Sequence, residues 1–360
     1  MEKQKVIISN QIERELAEAI GRCEHDRLFI LVDETTHRLC LPLIAGYRCV
    51  SGAEVITIGA TDQNKTLQSL AHVWEQLSRQ GATRHSLMIN LGGGMVTDLG
   101  GFAAATFKRG INYINIPTTL LSMVDASVGG KTGINFAGLK NEVGVFSNAS
   151  TVILDTMFLH TLDLQNMLSG YAEMLKHGLI NRQSDARQKG GSMLAELLSF
   201  DIGQPDLKEL GRMVADSVQV KQRIVDEDPT EQSLRKALNL GHTVGHAFES
   251  LALATGRPIL HGYAVAYGLI CELYLSCTQC GFPTDRLRQV AAFVSEHYGQ
   301  MTITCDDYPT LLELMSHDKK NTAGRVNFTL LADVGDLRLN QTATRQQIEA
   351  ALDFYRDGIG

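Results

Sequence analysis

Two groups of residues in this sequence have types and spacings that suit chemistry. The first runs from Asn90 to Asn141, where Gly92-Gly93-Gly94, Lys108-Arg109-Gly110, Pro117-Thr118-Thr119, Gly129-Gly130-Lys131-Thr132 and Lys140-Asn141 crowd together behind an apolar run. Glycine lets the backbone approach a ligand closely, threonine donates hydroxyls and the cations neutralise anions, so the stretch suits a nucleotide and phosphate groups. Neither common phosphate signature is complete. The dinucleotide fingerprint fails at Thr97, where its third glycine belongs, and the phosphate-loop pattern ending in Gly130-Lys131-Thr132 has Asp125 in place of its first glycine. A nucleotide held here requires another glycine-rich scheme, in which Asp98 either caps a helix or meets a ribose or amide group.

The second group is Gly241-His242-Thr243-Val244-Gly245-His246, followed by His261-Gly262. Histidines at i and i+4 share one helix face, a common metal-ligand spacing, and His261 supplies a third imidazole. Thr243 in place of glutamate excludes a zinc-protease motif. A lone buried histidine is ordinarily structural, whereas three among glycines point to a metal ion. Two neutral imidazoles leave a divalent ion strongly positive, so a carboxylate is wanted. Glu173 is the best candidate, on a helix face with Lys176 and His177; the alternative is an ordinary surface ion pair. A lysine beside a metal is unfavourable unless an anion lies between them, which favours an anionic substrate.

These residues must be positioned by two kinds of element. Short β-rich runs at 6–8, 28–32, 55–58, 87–90, 113–116 and 152–154 alternate with helical patterns, the signature of a mostly parallel sheet with helices on its faces. Ligands of such sheets bind beyond the carboxyl ends of the strands, where Gly92-Gly93-Gly94 falls. Helical periodicity takes over afterwards, at 164–180, 193–199, 207–225, 233–255, 263–277, 284–297 and 308–314. The expected architecture is therefore a Rossmann-like α/β domain over 1–162 and an all-α domain over 163–360. A polar loop around Asp318-Lys319-Lys320-Asn321 precedes a strand at 326–331.

Composition restricts the partners. The chain has 360 residues, 44% hydrophobic and 20% charged, with a net charge of -7, which argues against nucleic acid and acidic membrane surfaces. An anionic ligand must then be held by local cations. The opening residues, broken by Glu2, Lys3 and Lys5, do not read as a secretory leader, so a cytoplasmic location is expected. Seven scattered cysteines are expected to be reduced thiols, Cys277 and Cys280 included, because no second pair follows them.

With these motifs assembled, the chain resembles the 3-dehydroquinate synthase family of sugar phosphate cyclases over most of its length. The resemblance rests on Gly92-Gly-Gly94-x-x-x-Asp98, Phe107-Lys-Arg109-Gly110, Ile116-Pro-Thr-Thr-Leu-Leu-Ser-Met-Val-Asp125 and Val128-Gly-Gly-Lys131-Thr132. Lys140-Asn141, Ala172-Glu173-x-x-Lys176, Leu238-Asn239-x-Gly-His242-x-x-Gly-His246, His261-Gly262 and Asp318-Lys-Lys-Asn321 follow in the family's order. The family's zinc ligands, which cobalt can replace, carry over to Glu173, His242 and His261, so His246 leaves the metal shell and becomes a catalytic neighbour. Its NAD contacts carry over to Asp33, Asp62, Lys65, Gly94, Met95, Val96, Thr97, Asp98, Thr118, Thr119, Lys140 and Thr161. Its substrate contacts carry over to Asp125, Lys131, Asn141, Lys176, Lys221, Arg235, Asn239 and Lys319, the last chosen over Lys320. Arg109 matches an arginine that reaches the neighbouring subunit's site, which implies a homodimer.

The resemblance implies conversion of 3-deoxy-D-arabino-heptulosonate 7-phosphate to 3-dehydroquinate and phosphate in the shikimate pathway. The implied course is oxidation, β-elimination of phosphate, reduction and intramolecular aldol closure, with NAD used catalytically. Three departures from the pattern stand out: Asp62 for glutamate, Tyr263 for glutamate, and Glu142 for an apolar residue, expected to face away from the site or to pair with a lysine. Rival readings are a metal-dependent polyol dehydrogenase, a cyclase acting on another sugar phosphate, and a non-catalytic NAD- or metal-binding relative. The cation cluster argues against a neutral polyol, and Lys221 with Arg235 suits a substrate carboxylate.

Overall fold

In the first half of the chain, runs of β-branched and aliphatic residues too short for helices form strands that are buried in the middle of a parallel sheet and partly exposed at its two edges. The computed structural model, which describes residues 4–182, 193–316 and 326–358, forms six parallel strands from them. These are β1 (Lys5–Ile8), β2 (Leu28–Asp33), β3 (Glu54–Ile58), β4 (Leu87–Gly92), β5 (Asn112–Pro117) and, after a hairpin, β8 (Thr151–Leu154). Their order is β1-β8-β5-β4-β2-β3, with β2 and β4 buried at every position. The chain leaves β2 towards β3 on one side and resumes at β4 on the other. Their carboxyl ends therefore flank a topological switch point, the usual ligand crevice of such sheets.

The hairpin, β6 (Lys131–Phe136) with β7 (Leu139–Phe146), was not expected from the sequence. Every residue of β7 is exposed, so the strand offers no buried apolar run to recognise. Its two-residue turn places Ala137 and Gly138 at φ 50° and 81°, the left-handed pair that matches strand twist.

The chain clusters into two compact units, Met1–Asp163 with Asp206–Val218, and Leu164–Pro205 with Gln219–Gly360. Residues 206–218 thus group with the first unit, which the simple division at 162/163 did not anticipate. The second unit is mainly helical, with helices Leu164–Ile180, Met193–Ser199, His242–Ala254, His261–Cys280, Thr284–Tyr298, Tyr308–Ser316 and Arg345–Asp357 among its described residues. It is not wholly α. The expected strand pairs as β9 (Asn327–Asp333) with β10 (Asp336–Thr342) in an antiparallel hairpin. The expected helix at 233–255 is also two pieces, a 3-10 turn Leu234–Asn239 and the helix His242–Ala254. Gly241 separates them at φ 79°, a left-handed conformation that breaks the helix and restarts it at His242. The polar loop with Lys319 and Lys320 lies outside the described residues.

Candidate active site

In the first unit, every cofactor position expected from the sequence lies at or beyond the carboxyl end of a parallel strand except Lys140, which sits on β7 of the hairpin. Asp33 ends β2; Asp62 and Lys65 follow β3; Gly94 to Asp98 follow β4; Thr118 and Thr119 follow β5; Thr161 follows β8. The helix Gly94–Thr106 begins at Gly93 with no side-chain cap, so its first amides and the positive end of its dipole are available to a phosphate. Asp33 has a structural duty as well. Its Oδ1 accepts from Thr36 N at 2.8 Å, and its own amide donates to Thr36 Oγ1 at 3.0 Å, capping the helix Glu34–Leu39.

A polar network joins several of these residues to the hairpin. Lys65, 4% exposed, donates to Asp98 Oδ2 at 2.6 Å and to Asn141 Oδ1. Asn135 of β6 accepts from Asn141 N and donates to Asp62, while Lys140 Nζ lies 3.6 Å from Asp62 Oδ2. Nucleotide and substrate candidates therefore share one network within this unit. Asp125 sits in a π-helical turn, Ser122–Ala126, and Lys131 is exposed at the start of β6. Arg109 is exposed, and Lys108 and Arg109 both have positive φ, 49° and 70°, an uncommon backbone for residues with side chains. Glu142 is exposed on β7.

In the second unit, three helices bring Glu173, His242 and His261 together, with one ligand atom from each inside a mutual separation of 4.8 Å. Both His242 Nε2 and His261 Nε2 face Glu173 Oε1, at 3.4 and 3.5 Å. His246 stands beside them, its ring 5.3 Å from His242 and 5.9 Å from His261. Lys176 pairs with the other Glu173 oxygen, Oε2. A buried carboxylate facing two imidazole nitrogens is an N/N/O donor set suited to zinc or cobalt.

The helices can meet this closely because their contacts are made of backbone. A Cβ on Gly262 would lie 1.9 Å from Ser169 O, and one on Gly268 would lie 2.0 Å from Gly241 O. Two side chains then fix the register across helices. Ser169 Oγ accepts from Gly262 N at 3.1 Å, one turn before Glu173 on the same helix face. Glu272, fully buried, accepts from Gly241 N at 2.7 Å and Val244 N at 3.1 Å, capping the helix that opens with His242. Neither was singled out from the sequence, since capping across helices leaves no local signal.

The electrostatics follow from the same contacts. Burial opposes the charge of Glu173, but Lys176 and the two imidazoles outweigh it and hold the carboxyl well below its usual range. Burial and Lys176 push His242 down to about 4 against the pull of Glu173. Burial acts likewise on His261, yet hydrogen bonds to Glu173 and Glu249 overcome it and raise that imidazole to about 10. In the metal-free cluster His261 is thus shifted towards its protonated form and His242 towards its neutral form.

Of the remaining substrate candidates of this unit, Lys221 lies on the helix Leu207–Glu227 and Arg235 and Asn239 in the 3-10 turn Leu234–Asn239. Lys221 and Arg235 are buried. Asp228 accepts from the amides of Gln232, Ser233 and Arg235 at 3.0, 2.6 and 3.0 Å, shaping the turn, and Arg235 Nη1 donates to Pro229 O. Asn239 Nδ2 donates to Glu231 Oε1 at 3.0 Å. Tyr263 joins an aromatic cluster, its ring 5.1 Å from Tyr298, so the departure there is absorbed by packing. All seven cysteines are free. No described helix is long and apolar enough to cross a membrane.

Known proteins resemble the chain in both sequence and fold. The 3-dehydroquinate synthase N-terminal model matches residues 55–169 and the C-terminal model residues 170–321. A 3-dehydroquinate synthase of Parabacteroides distasonis is 52% identical over 360 residues, covering 100% of each chain. One from Streptococcus pyogenes is 32% identical over 350 residues, covering 97% of this chain and 95% of its own. Among solved structures, 2-epi-5-epi-valiolone synthase from Streptomyces hygroscopicus, with NAD+ and Zn2+ bound, superposes at a TM-score of 0.82 and 25% identity, over 99% of this chain and 97% of its own. A 2-deoxy-scyllo-inosose synthase complexed with carbaglucose-6-phosphate, NAD+ and Co2+ shares the fold at 0.82 and 21% identity, over 98% and 96%. Matched by both halves of the family model and by a relative along its whole length, the chain belongs to the 3-dehydroquinate synthase family.

Proposed function

We propose that the chain converts 3-deoxy-D-arabino-heptulosonate 7-phosphate to 3-dehydroquinate and phosphate, as a carbon–oxygen lyase of the shikimate pathway and aromatic amino-acid biosynthesis. The observation that carries this reading is the convergence of Glu173, His242 and His261 on one point within a chain of this family. NAD, held from Asp33 to Thr161 beyond the strand ends, would supply reversible hydride transfer to the substrate. Zinc or cobalt, held by Glu173, His242 and His261, would supply Lewis-acid polarisation of a substrate hydroxyl.

The chain's own residues do the rest. His246, an imidazole beside the ligand cluster, moves the proton of the reacting hydroxyl. Lys131, Asn141 and Arg109, with Lys319, hold the phosphate that leaves, and Lys221 and Arg235 hold the carboxylate. Lys176 neutralises part of the substrate's charge, and Asp125 and Asn239 orient its hydroxyls. The working form is a cytoplasmic homodimer in which Arg109 reaches the partner's site.

The test is stoichiometric. Protein, zinc, the heptulosonate phosphate and substoichiometric NAD are mixed, and inorganic phosphate is followed. Many phosphates per NAD are expected; one NADH per product would instead make the chain a dehydrogenase. Turnover of another sugar phosphate in preference to the heptulosonate would point to a sister cyclase.

A further inference from the structure

The helix His242–Ala254 carries a third group on the face that presents His242 and His246. Glu249 lies three residues after His246 and seven after His242, the spacing that stacks side chains along one stripe. Its Oε2 is 3.4 Å from His261 Nδ1, while the opposite nitrogen of the same ring, Nε2, faces Glu173. His261 thus lies between two carboxylates, one on each ring nitrogen.

The two carboxylates cannot play the same part. Glu249, His246 and His261 form a second set of mutually close donor atoms. If both sets bound metal, His261 would have to surrender both of its protons and bridge two ions. An ionised carboxylate only accepts hydrogen bonds, so a proton retained on Nδ1 satisfies Glu249 and leaves the Nε2 lone pair aimed at Glu173 and His242. We propose that Glu249 is a positioning residue: it fixes the Nδ1–H tautomer and the ring orientation of His261, so that Nε2 is presented to the metal. This rests on the reading of Glu173, His242 and His261 as the metal ligands. Glu249 itself touches neither metal nor substrate.

The test measures metal affinity on the full-length, metal-free protein by competition with a chromophoric zinc chelator. Outer partners of ligand histidines typically contribute about 10- to 100-fold in affinity, so Glu249→Ala is expected to raise the zinc Kd by that factor. Glu249→Gln, whose amide oxygen still accepts from Nδ1–H, is expected to stay within about threefold of the parent, since only the charge of the acceptor is lost. An alanine variant that binds zinc as tightly as the parent overturns the proposal, as does binding of two zinc ions per chain by the parent. A second measurement needs no variant: nitrogen-15 imidazole shifts of the zinc-loaded parent should show His261 protonated at Nδ1 and ligated through Nε2. Ligation through Nδ1 would also overturn it. If His242→Ala leaves zinc binding intact, the underlying metal-site reading fails instead, which separates the two.

Discussion

Replacing Glu272 with alanine removes the carboxylate that stands in for a side-chain cap on the helix His242–Ala254, whose N-cap, Gly241, has no side chain. Two buried amides, Gly241 N and Val244 N, lose carboxylate bonds of 2.7 and 3.1 Å. Each unsatisfied buried amide costs about 1–3 kcal/mol, with bonds to charged groups near the top of that range, and loss of the buried charge's own desolvation cost offsets part of the sum. A net local destabilisation of about 3–5 kcal/mol is expected, which is roughly 10²- to 10⁴-fold in the opening of the helix. Glu272→Gln retains one acceptor oxygen and should cost about half as much. Because a chain of two units need not unfold in one step, hydrogen exchange resolved by peptide is a better assay than a single melting curve. Protection across His242–Ala254 should fall by that factor in the alanine variant, and zinc affinity should fall with it, since His242 is the helix's first residue. Protection within threefold of the parent, with unchanged zinc affinity, would refute the reasoning.

Three further outcomes follow from the same site. Zinc binding to the metal-free protein should release about one proton near pH 7 and tighten about tenfold per pH unit between roughly pH 6 and 8, because the raised His261 must lose its Nε2 proton while the depressed His242 is already neutral; calorimetry in buffers of different ionisation enthalpy would detect this, and a buffer-independent heat would contradict it. His242→Ala should abolish activity and bound zinc together, whereas His246→Ala should slow turnover with zinc retained; metal analysis showing equal zinc loss in both would remove His246 from its catalytic role. Gly262→Ala should prevent correct docking of its helix, at a cost above about 3 kcal/mol, because its Cβ would meet backbone rather than a movable side chain; a variant with parental urea midpoint and zinc content would disprove that.

Different parts of this molecule were legible to different degrees. The central sheet strands were visible as buried apolar runs, the partly exposed edge strands β1 and β3 as short β-rich runs, and the helix Leu164–Ile180 as a long segment buried from Met167 onward. The hairpin of β6 and β7 was not, since its outer strand is exposed throughout and carries polar residues whose partners are distant in sequence. The metal-ligand candidates announced themselves through histidine spacing, but preferring His261 to His246 rested on the family pattern rather than on periodicity. Glu249 was within reach, three residues past His246 on the same face. Ser169 and Glu272 were not, because each acts on the end of another helix. Asp33 and Lys65 are expected as cofactor contacts from the sequence, while their structural bonds, a helix cap and a bridge to Asn141, emerged only from the folded chain.

The backbone-to-backbone seating of the three helices that carry Glu173, His242 and His261 separates this protein from small zinc modules that unfold without their ion. Here the spacing of the helices is held by glycine contacts and by the Ser169 and Glu272 bonds, none of which involves a metal. A chelator-stripped chain is then a folded, rechargeable vessel: its circular dichroism should match that of the loaded form, and added ion should restore it without refolding. Metal supply would act on such an enzyme as a dial on activity rather than on abundance, because the helices carrying Glu173, His242 and His261 stay seated in the empty form.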